Sequence, residues 1–207
     1  MSDPSPGLYL VTPVLTEAEP FLAALREALA NAEVASLLLR LGPLDGAAAA
    51  RLVRDIAEPT QATGAALIVD GGPELVLEAD ADGAHIAGGG AELKTAVKRL
   101  SPDHIVGAGG LATRDEAMTA GEAGADYVLF GDDAAPLDPA ALLERVKWWA
   151  EIFNTPCVAL ARSLEEVGPL VVAGADFIML GDCVWNDPRG PAAAVADARR
   201  AMAEQGA

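Results

Sequence analysis

The 207-residue chain is poor in aromatic side chains (4%), and it has only two histidines, two cysteines and 14 basic residues against 31 acidic ones. Each scarcity excludes something. With 52% hydrophobic residues and so few aromatics, alanine, valine and leucine must do the packing, which suits helices laid closely on a parallel sheet. A formal net charge of −17 argues against nucleic acid or an anionic membrane as partner. A small anionic molecule stays open as a partner, because a site is governed by its local groups. The two cysteines, Cys157 and Cys183, lie in or beside apolar runs, so buried, reduced thiols and a cytoplasmic setting are expected. The start, Met1 to Pro6, has no basic or apolar signal region. No apolar run reaches membrane-spanning length without a charge. Zinc-ligand spacing, a Walker loop and a nucleophile elbow are all lacking.

What is present is a repeated phrase. Ala123-Gly124-Ala125-Asp126-Tyr127-Val128-Leu129-Phe130-Gly131-Asp132 returns as Ala173-Gly174-Ala175-Asp176-Phe177-Ile178-Met179-Leu180-Gly181-Asp182. A looser copy runs from Ala79 through Asp82 to Ile86. Each reads as a helix end, a tight glycine turn and a buried strand. The interval is one helix-plus-strand unit or slightly more, so the chain builds parallel strands joined by helices.

The apolar runs give eight strands: Leu8–Thr12, Val34–Leu41, Ala65–Asp70, Gly83–Ile86, His104–Ala108, Asp126–Gly131, Pro156–Ala161 and Asp176–Gly181. They are continuous rather than alternating, so both faces should be buried. Helical stretches separate them. In Pro139–Phe153, Leu142, Leu143, Val146, Trp149 and Phe153 form one stripe. Thr16/Glu19, Thr113/Glu116 and Ser163/Glu166 have capping-box spacing. Asp138-Pro139 and Asp187-Pro188 place a cap before a first-turn proline. This rhythm predicts an α/β chain forming one (β/α)8 TIM barrel over residues 1–207 with short flexible termini. An open doubly wound sheet is the alternative, because the third helix, near Gly72–Ala79, is short and the chain is small for a barrel.

A barrel's chemistry sits at the carboxyl ends of its strands. Arg40 ends the second strand and Arg162-Ser163 the seventh; both arginines are candidate anion ligands, with the helix opening at Ser163 and the backbone at Gly181 as further donors. Arg40 could equally pair with a neighbouring carboxylate such as Asp70. Asp70, Asp132, Asp133 and Asp182 end strands three, six and eight, as metal candidates or as solvated loop acids. His85 reads as a buried, hydrogen-bonded histidine and His104 as structural. Trp148 and Trp149 cannot both face the core, which leaves one for a subunit contact in a homo-oligomer or for a partly covered surface.

Several of these phrases resemble the thiamine-phosphate synthase and thiazole tautomerase superfamily. Leu8-Tyr9-Leu10-Val11-Thr12 is similar to its first strand, and Leu67-Ile68-Val69-Asp70 with Asp82-Gly83-Ala84-His85-Ile86 to its third and fourth. Ile105-Val106-Gly107 and both Gly-Ala-Asp phrases continue the match in order. The resemblance covers nearly the whole chain. It implies a (β/α)8 barrel and a transferase joining a pyrimidine pyrophosphate to a thiazole phosphate, with Mg²⁺ and release of pyrophosphate.

The polar residues of that family match less well. Its second strand ends Gln-Leu-Arg, of which Arg40 remains. Its third ends Asn-Asp-Arg, where this chain has Asp70-Gly71-Gly72, and its fourth Gly-Gln-x-Asp, where it has Ala87-Gly88-Gly89-Gly90. The fifth-strand Ser and His give way to Gly109-Gly110-Leu111, and Pro-Thr-x-Thr-Lys to Asp132-Asp133-Ala134-Ala135-Pro136. A diphosphate leaving group needs cationic donors and Mg²⁺ as its charge develops. The sequence therefore leaves three readings: a barrel of this family with lost or altered synthase activity that binds a phosphorylated or heterocyclic small molecule; an enzyme, either an active synthase or a metal-dependent one using Asp132, Asp133 and Asp182; and a non-catalytic interaction protein.

Overall fold

The computed structural model describes residues 5–30 and 33–205. Its eight strands are all parallel and close in chain order. They are β1 (Gly7–Leu15), β2 (Val34–Leu41), β3 (Ala66–Asp70), β4 (Gly83–Ala87), β5 (Ile105–Gly109), β6 (Tyr127–Phe130), β7 (Cys157–Ala161) and β8 (Phe177–Leu180). Closure comes from β8 pairing with β1, Gly7 opposite Phe177 through Leu10 opposite Leu180. That pairing overturns the open-sheet alternative. The expected flexible ends fall on residues outside the described ones.

Alternation along each strand splits the apolar residues into two sets. Leu8, Leu37, Leu67, Val106, Val128 and Ile178 face the helices. Tyr9, Val11, Leu38, Ile68, Tyr127, Leu129, Val158 and Met179 fill the barrel. Both faces are buried, as continuous apolar runs require. The interior must fit two tyrosines and a histidine, and small residues make the room. A Cβ at Gly107 would lie 1.9 Å from the Tyr127 ring, and one at Gly109 would lie 2.4 Å from His85 Nε2.

The helices between strands are α1 (Glu19–Leu29), α2 (Gly46–Gln61), α3 (Pro73–Ala79), α4 (Ala91–Leu100), α5 (Arg114–Glu122), α6 (Pro139–Ile152), α7 (Val167–Val172), α8 (Asp182–Trp185) and α9 (Pro191–Gln205). Two expected caps are present. Thr113 and Glu116 form the complete reciprocal box of α5, and Asp138 accepts from Ala141 N at the start of α6.

Three caps differ. Ala18, not Thr16, holds the cap position of α1, with no side-chain bond. Ser163 precedes a 3₁₀ turn (Leu164–Glu166) and makes no cap bond; Glu166 instead accepts from Arg162 N. Asp187 accepts from Arg189 N in a turn ahead of Pro191, so the proline that opens the final helix is Pro191. Each pattern marks a polar turn, and the chain's exit angle decides where the helix begins.

The few aromatics are concentrated. Trp149 is fully buried, stacks on Phe153 at 4.1 Å between ring centroids, and donates from Nε1 to Thr155 O. Its neighbour Trp148 is half-buried, with the Arg114 guanidinium 4.7 Å from its ring. Trp149 is therefore the one that faces the core, and Trp148 is partly covered at the surface.

The repeated phrase has a structural use. Gly124 and Gly174 have φ of +93° and +95°, a conformation glycine adopts without steric cost. Two residues on, the aspartate stands just ahead of an even-numbered strand and grips the preceding one. Asp82 accepts from Leu67 N, Asp126 from Val106 N and Asp176 from Cys157 N, each at 2.7–2.8 Å. Each aspartate N–H donates back to the carbonyl of the same residue. These rings pair β4 with β3, β6 with β5 and β8 with β7 at the amino-terminal end of the barrel, leaving the opposite end free for a site.

Candidate functional site at the barrel mouth

Three adjoining cavities occupy the carboxyl ends of the strands. The largest, about 450 Å³, lies above β3 and β4 and is bordered by Asp70, Gly72, His85 and Thr95. A second, about 190 Å³, sits over the barrel axis between Arg40, Asp70, His85, Asp132 and Asp133. The third, about 140 Å³, is bordered by Arg40, Asp133, Arg162, Gly181 and Asp182. Asp70 and His85 border the first two; Arg40 and Asp133 border the last two.

Arg40 is held by β1. Its backbone N donates to Thr12 Oγ1 at 3.0 Å and its Nε to Thr12 O at 2.8 Å. Thr12 is fully buried and lies where the β1–β2 register shifts, between Val11 and Val14. The irregularity carries Thr12-Pro13 through the strand, and proline cannot donate to a ladder. The strand therefore runs on to Leu15, past its expected end at Thr12. Sequence reading did not single out Thr12; a threonine-proline pair inside an apolar strand was the available signal.

Across the mouth, Arg162 donates from Nη2 to Gly131 O at 3.1 Å and from Nη1 to Asp133 Oδ1 at 3.2 Å. Arg40 Nη1 meets the other oxygen of the same carboxylate at 3.1 Å. One exposed aspartate thus stands between two guanidiniums from the carboxyl ends of two non-adjacent strands, β2 and β7. Arg40 does pair with a carboxylate, but its partner is Asp133 and not the neighbouring Asp70. Asp70 borders the same central cavity, but the loop after β6 brings Asp133 within hydrogen-bond distance of Arg40.

The remaining candidates divide. Asp132 shapes a loop: Oδ2 accepts from Gly110 N at 2.6 Å and Oδ1 from Ala135 N at 2.8 Å. Asp182 is exposed at the start of the single-turn helix α8. The helix opening at Ser163 lies beside two carboxylates, Glu166 on the Arg162 amide and Glu165 beside the Ser163 hydroxyl. Gly181 borders the third cavity, where a Cβ would lie 2.9 Å from Val11 Cγ1.

The implied Mg²⁺ can be tested against this donor set. Among the described residues no group of three acids, histidines or cysteines gathers for a metal ion. Both oxygens of Asp132 are bonded to backbone N–H groups, and both of Asp133 to arginines. The four aspartates do not fit a protein-built Mg²⁺ centre, which requires near-ideal octahedral oxygen geometry.

Beneath the mouth lies a buried polar line. His85 Nδ1 and Tyr127 Oη are 2.9 Å apart, and Tyr127 Oη and Tyr9 Oη 2.9 Å. Burial lowers the pKa of His85, against the opposing pull of Asp70 and Asp132, so the imidazole is neutral near pH 7. Burial raises both tyrosines, which stay protonated. His85 is the buried, hydrogen-bonded histidine expected of it. Of the thiols, Cys157 is buried and pushed up to about 12, chiefly by desolvation, and Cys183 is raised for the same reason. Both are free, and neither has the thiolate character of a nucleophile.

The family model for thiamine monophosphate synthase matches residues 8–184. The chain belongs to that family. It is 38% identical over 204 residues to the thiamine-phosphate synthase of Rhodospirillum centenum, covering 94% of this chain and 97% of that protein. It is 36% identical to the thiamine-phosphate synthase of Hyphomonas neptunium, covering 93% and 91%. A solved thiamine phosphate pyrophosphorylase from Pyrococcus furiosus superposes with a TM-score of 0.80 at 22% identity, covering 96% of both chains. The 3-hexulose-6-phosphate synthase of Salmonella typhimurium has the same fold, with a TM-score of 0.73 at 13% identity over 95% of this chain and 99% of that one. At such identities the last two speak for the barrel alone. Among the described residues no helix is long and apolar enough to cross a membrane.

Proposed function

We propose that this thiamine-phosphate-synthase-like barrel binds a small phosphorylated molecule at its mouth, through chemistry altered from the synthase reaction. The observation that carries this is the convergence of Arg40 and Arg162 on one carboxylate. Two guanidiniums from β2 and β7 form an anion clamp, and a planar fork of N–H donors suits a phosphate as well as a carboxylate. Asp133, which is 65% exposed, swings aside for the ligand's anion. The altered chemistry rests on the donor set: one clamp, no lysine among the residues bordering the three cavities, and no group of three metal-ligating side chains among the described residues. Two free thiols support a cytoplasmic setting.

Calorimetry with inorganic pyrophosphate tests the clamp. Wild type should bind, and Arg40→Ala and Arg162→Ala should each weaken binding roughly tenfold or more. Absence of wild-type binding, or indifference to both substitutions, overturns the reading. A second reading, full synthase activity, is favoured by the 38% identity to a named synthase along nearly the whole chain. Incubation with the pyrimidine pyrophosphate, the thiazole phosphate and Mg²⁺ separates the two. Turnover near about 1 s⁻¹ or above, within the ordinary enzyme range, would establish the second reading.

A further inference from the structure

The line Tyr9–Tyr127–His85 is the buried titratable feature that the anion clamp does not use. Its hydrogen-bond order follows from counting protons. Each tyrosine hydroxyl has one proton to donate. Tyr9 is 2% exposed and packed among Val11, Leu38, Ile68, Val158 and Met179. The Tyr127 hydroxyl is its hydrogen-bond partner among the described residues. Were Tyr127 to donate to Tyr9, the Tyr9 proton would point into hydrocarbon with no acceptor. An unmade buried hydrogen bond is costly, so Tyr9 donates and Tyr127 accepts. The Tyr127 proton is then directed to its other neighbour, His85 Nδ1, 2.9 Å away. Nδ1 must accept, and a neutral imidazole that accepts at Nδ1 carries its proton on Nε2.

Nε2 is the ring nitrogen that Tyr127 does not engage. His85 borders both the central cavity and the one above β3 and β4. A Cβ at Gly109 would lie 2.4 Å from His85 Nε2 and 2.5 Å from Asp132 Oδ2, so both atoms border the same small space. Asp70, the strand neighbour of His85 in the β3–β4 register, is the second carboxylate facing it.

We infer that the two tyrosines lock His85 as its Nε2–H tautomer and that the barrel thereby presents a neutral N–H donor to the mouth. The donor selects a ligand with a hydrogen-bond acceptor, a phosphate oxygen or an aromatic ring nitrogen, in the central cavity that Arg40 also borders. Tyr9 and Tyr127 are positioning residues; His85 touches the ligand. This inference rests on the mouth being the ligand site, but the tautomer stands on the interior packing alone.

Nitrogen-15 NMR of the whole protein near neutral pH reads the tautomer directly. Wild-type His85 should show limiting shifts, Nε2 pyrrole-like and Nδ1 pyridine-like. The near-isosteric Tyr127→Phe removes the donor to Nδ1, and the two shifts should move towards the averaged values of a free imidazole. A protonated Nδ1, a charged ring, or averaged shifts in wild type would overturn the lock, as would unchanged shifts in a folded Tyr127→Phe. Inorganic pyrophosphate serves as the acceptor probe: on binding it should move the His85 Nε2–H proton resonance, and bound probe without that movement overturns the donor role. Failure of the probe to bind overturns the anion clamp and the donor's role with it, while the unliganded shifts still decide the tautomer.

Discussion

At the amino-terminal end of the barrel, Asp82, Asp126 and Asp176 each grip the backbone of the preceding strand in the same two-bond ring. At the carboxyl end, Asp132 pins two loops, Asp133 lies between two arginines, and Asp182 is exposed at the start of a single-turn helix. The residue type is the same. The difference is periodicity: three equivalent positions make three equivalent bonds at one end, and none is repeated at the other. Uniform use marks what holds the barrel closed. Irregular use, with charge left accessible, marks where a ligand can compete.

Substitution at the two ends should break this comparison cleanly. The largest stability loss belongs to the strand-gripping end. Asp126→Ala and Asp176→Ala should each cost about 1–3 kcal/mol in denaturant unfolding, because Val106 N and Cys157 N lose their acceptors. Pyrophosphate binding should not change. A loss well below this range would mean the rings are redundant.

Two caps at the mouth end should differ next. Thr113→Ala should destabilise by about 1 kcal/mol, since its hydroxyl accepts from Glu116 N. Ser163→Ala should stay within about 0.5 kcal/mol, since its hydroxyl makes no cap bond. Equal effects in thermal melts would contradict the structure at one of them.

Asp133→Asn should leave stability within about 0.5 kcal/mol, as its two ion pairs are exposed. It should also tighten pyrophosphate binding by up to roughly tenfold at low salt, since an intramolecular competitor for the arginines is weakened. Weaker binding in calorimetry would mean that Asp133 orients the arginines instead of competing for them.

The smallest effect is a slope with pH. The folded-state pKa of His85 lies below its ordinary value of 6.5. Between those two values the unfolded chain holds more protons than the folded one, so stability rises with pH. Stability is therefore lost as pH falls through about 6.5 towards the folded-state value, and His85→Gln should flatten that part of the profile. An unaltered slope in urea titrations would assign it to other groups.

Much of the scaffold was legible beforehand. Eight continuous apolar runs, the glycine turns and the boxes at Thr113 and Asp138 are local features, and local sterics and hydrogen bonding decide them. The caps at Thr16, Ser163 and Asp187 were misread because capping spacing is equally the spacing of a polar turn. At the site, Arg40, Arg162, Asp70, Asp132 and Asp133 could be placed at the mouth from strand order alone. Their pairings could not, and neither could Thr12 as the support for Arg40.

The sequence by itself determined that this chain builds eight parallel strands joined by helices and which residues end them, because strand periodicity and turn chemistry act over a few neighbouring residues. Only the tertiary structure decided that Arg40 and Arg162 share Asp133, and that Tyr9 and Tyr127 stand beneath His85. Those contacts join residues 93, 29, 118 and 42 positions apart, and they exist only once the strands are assembled around a common axis.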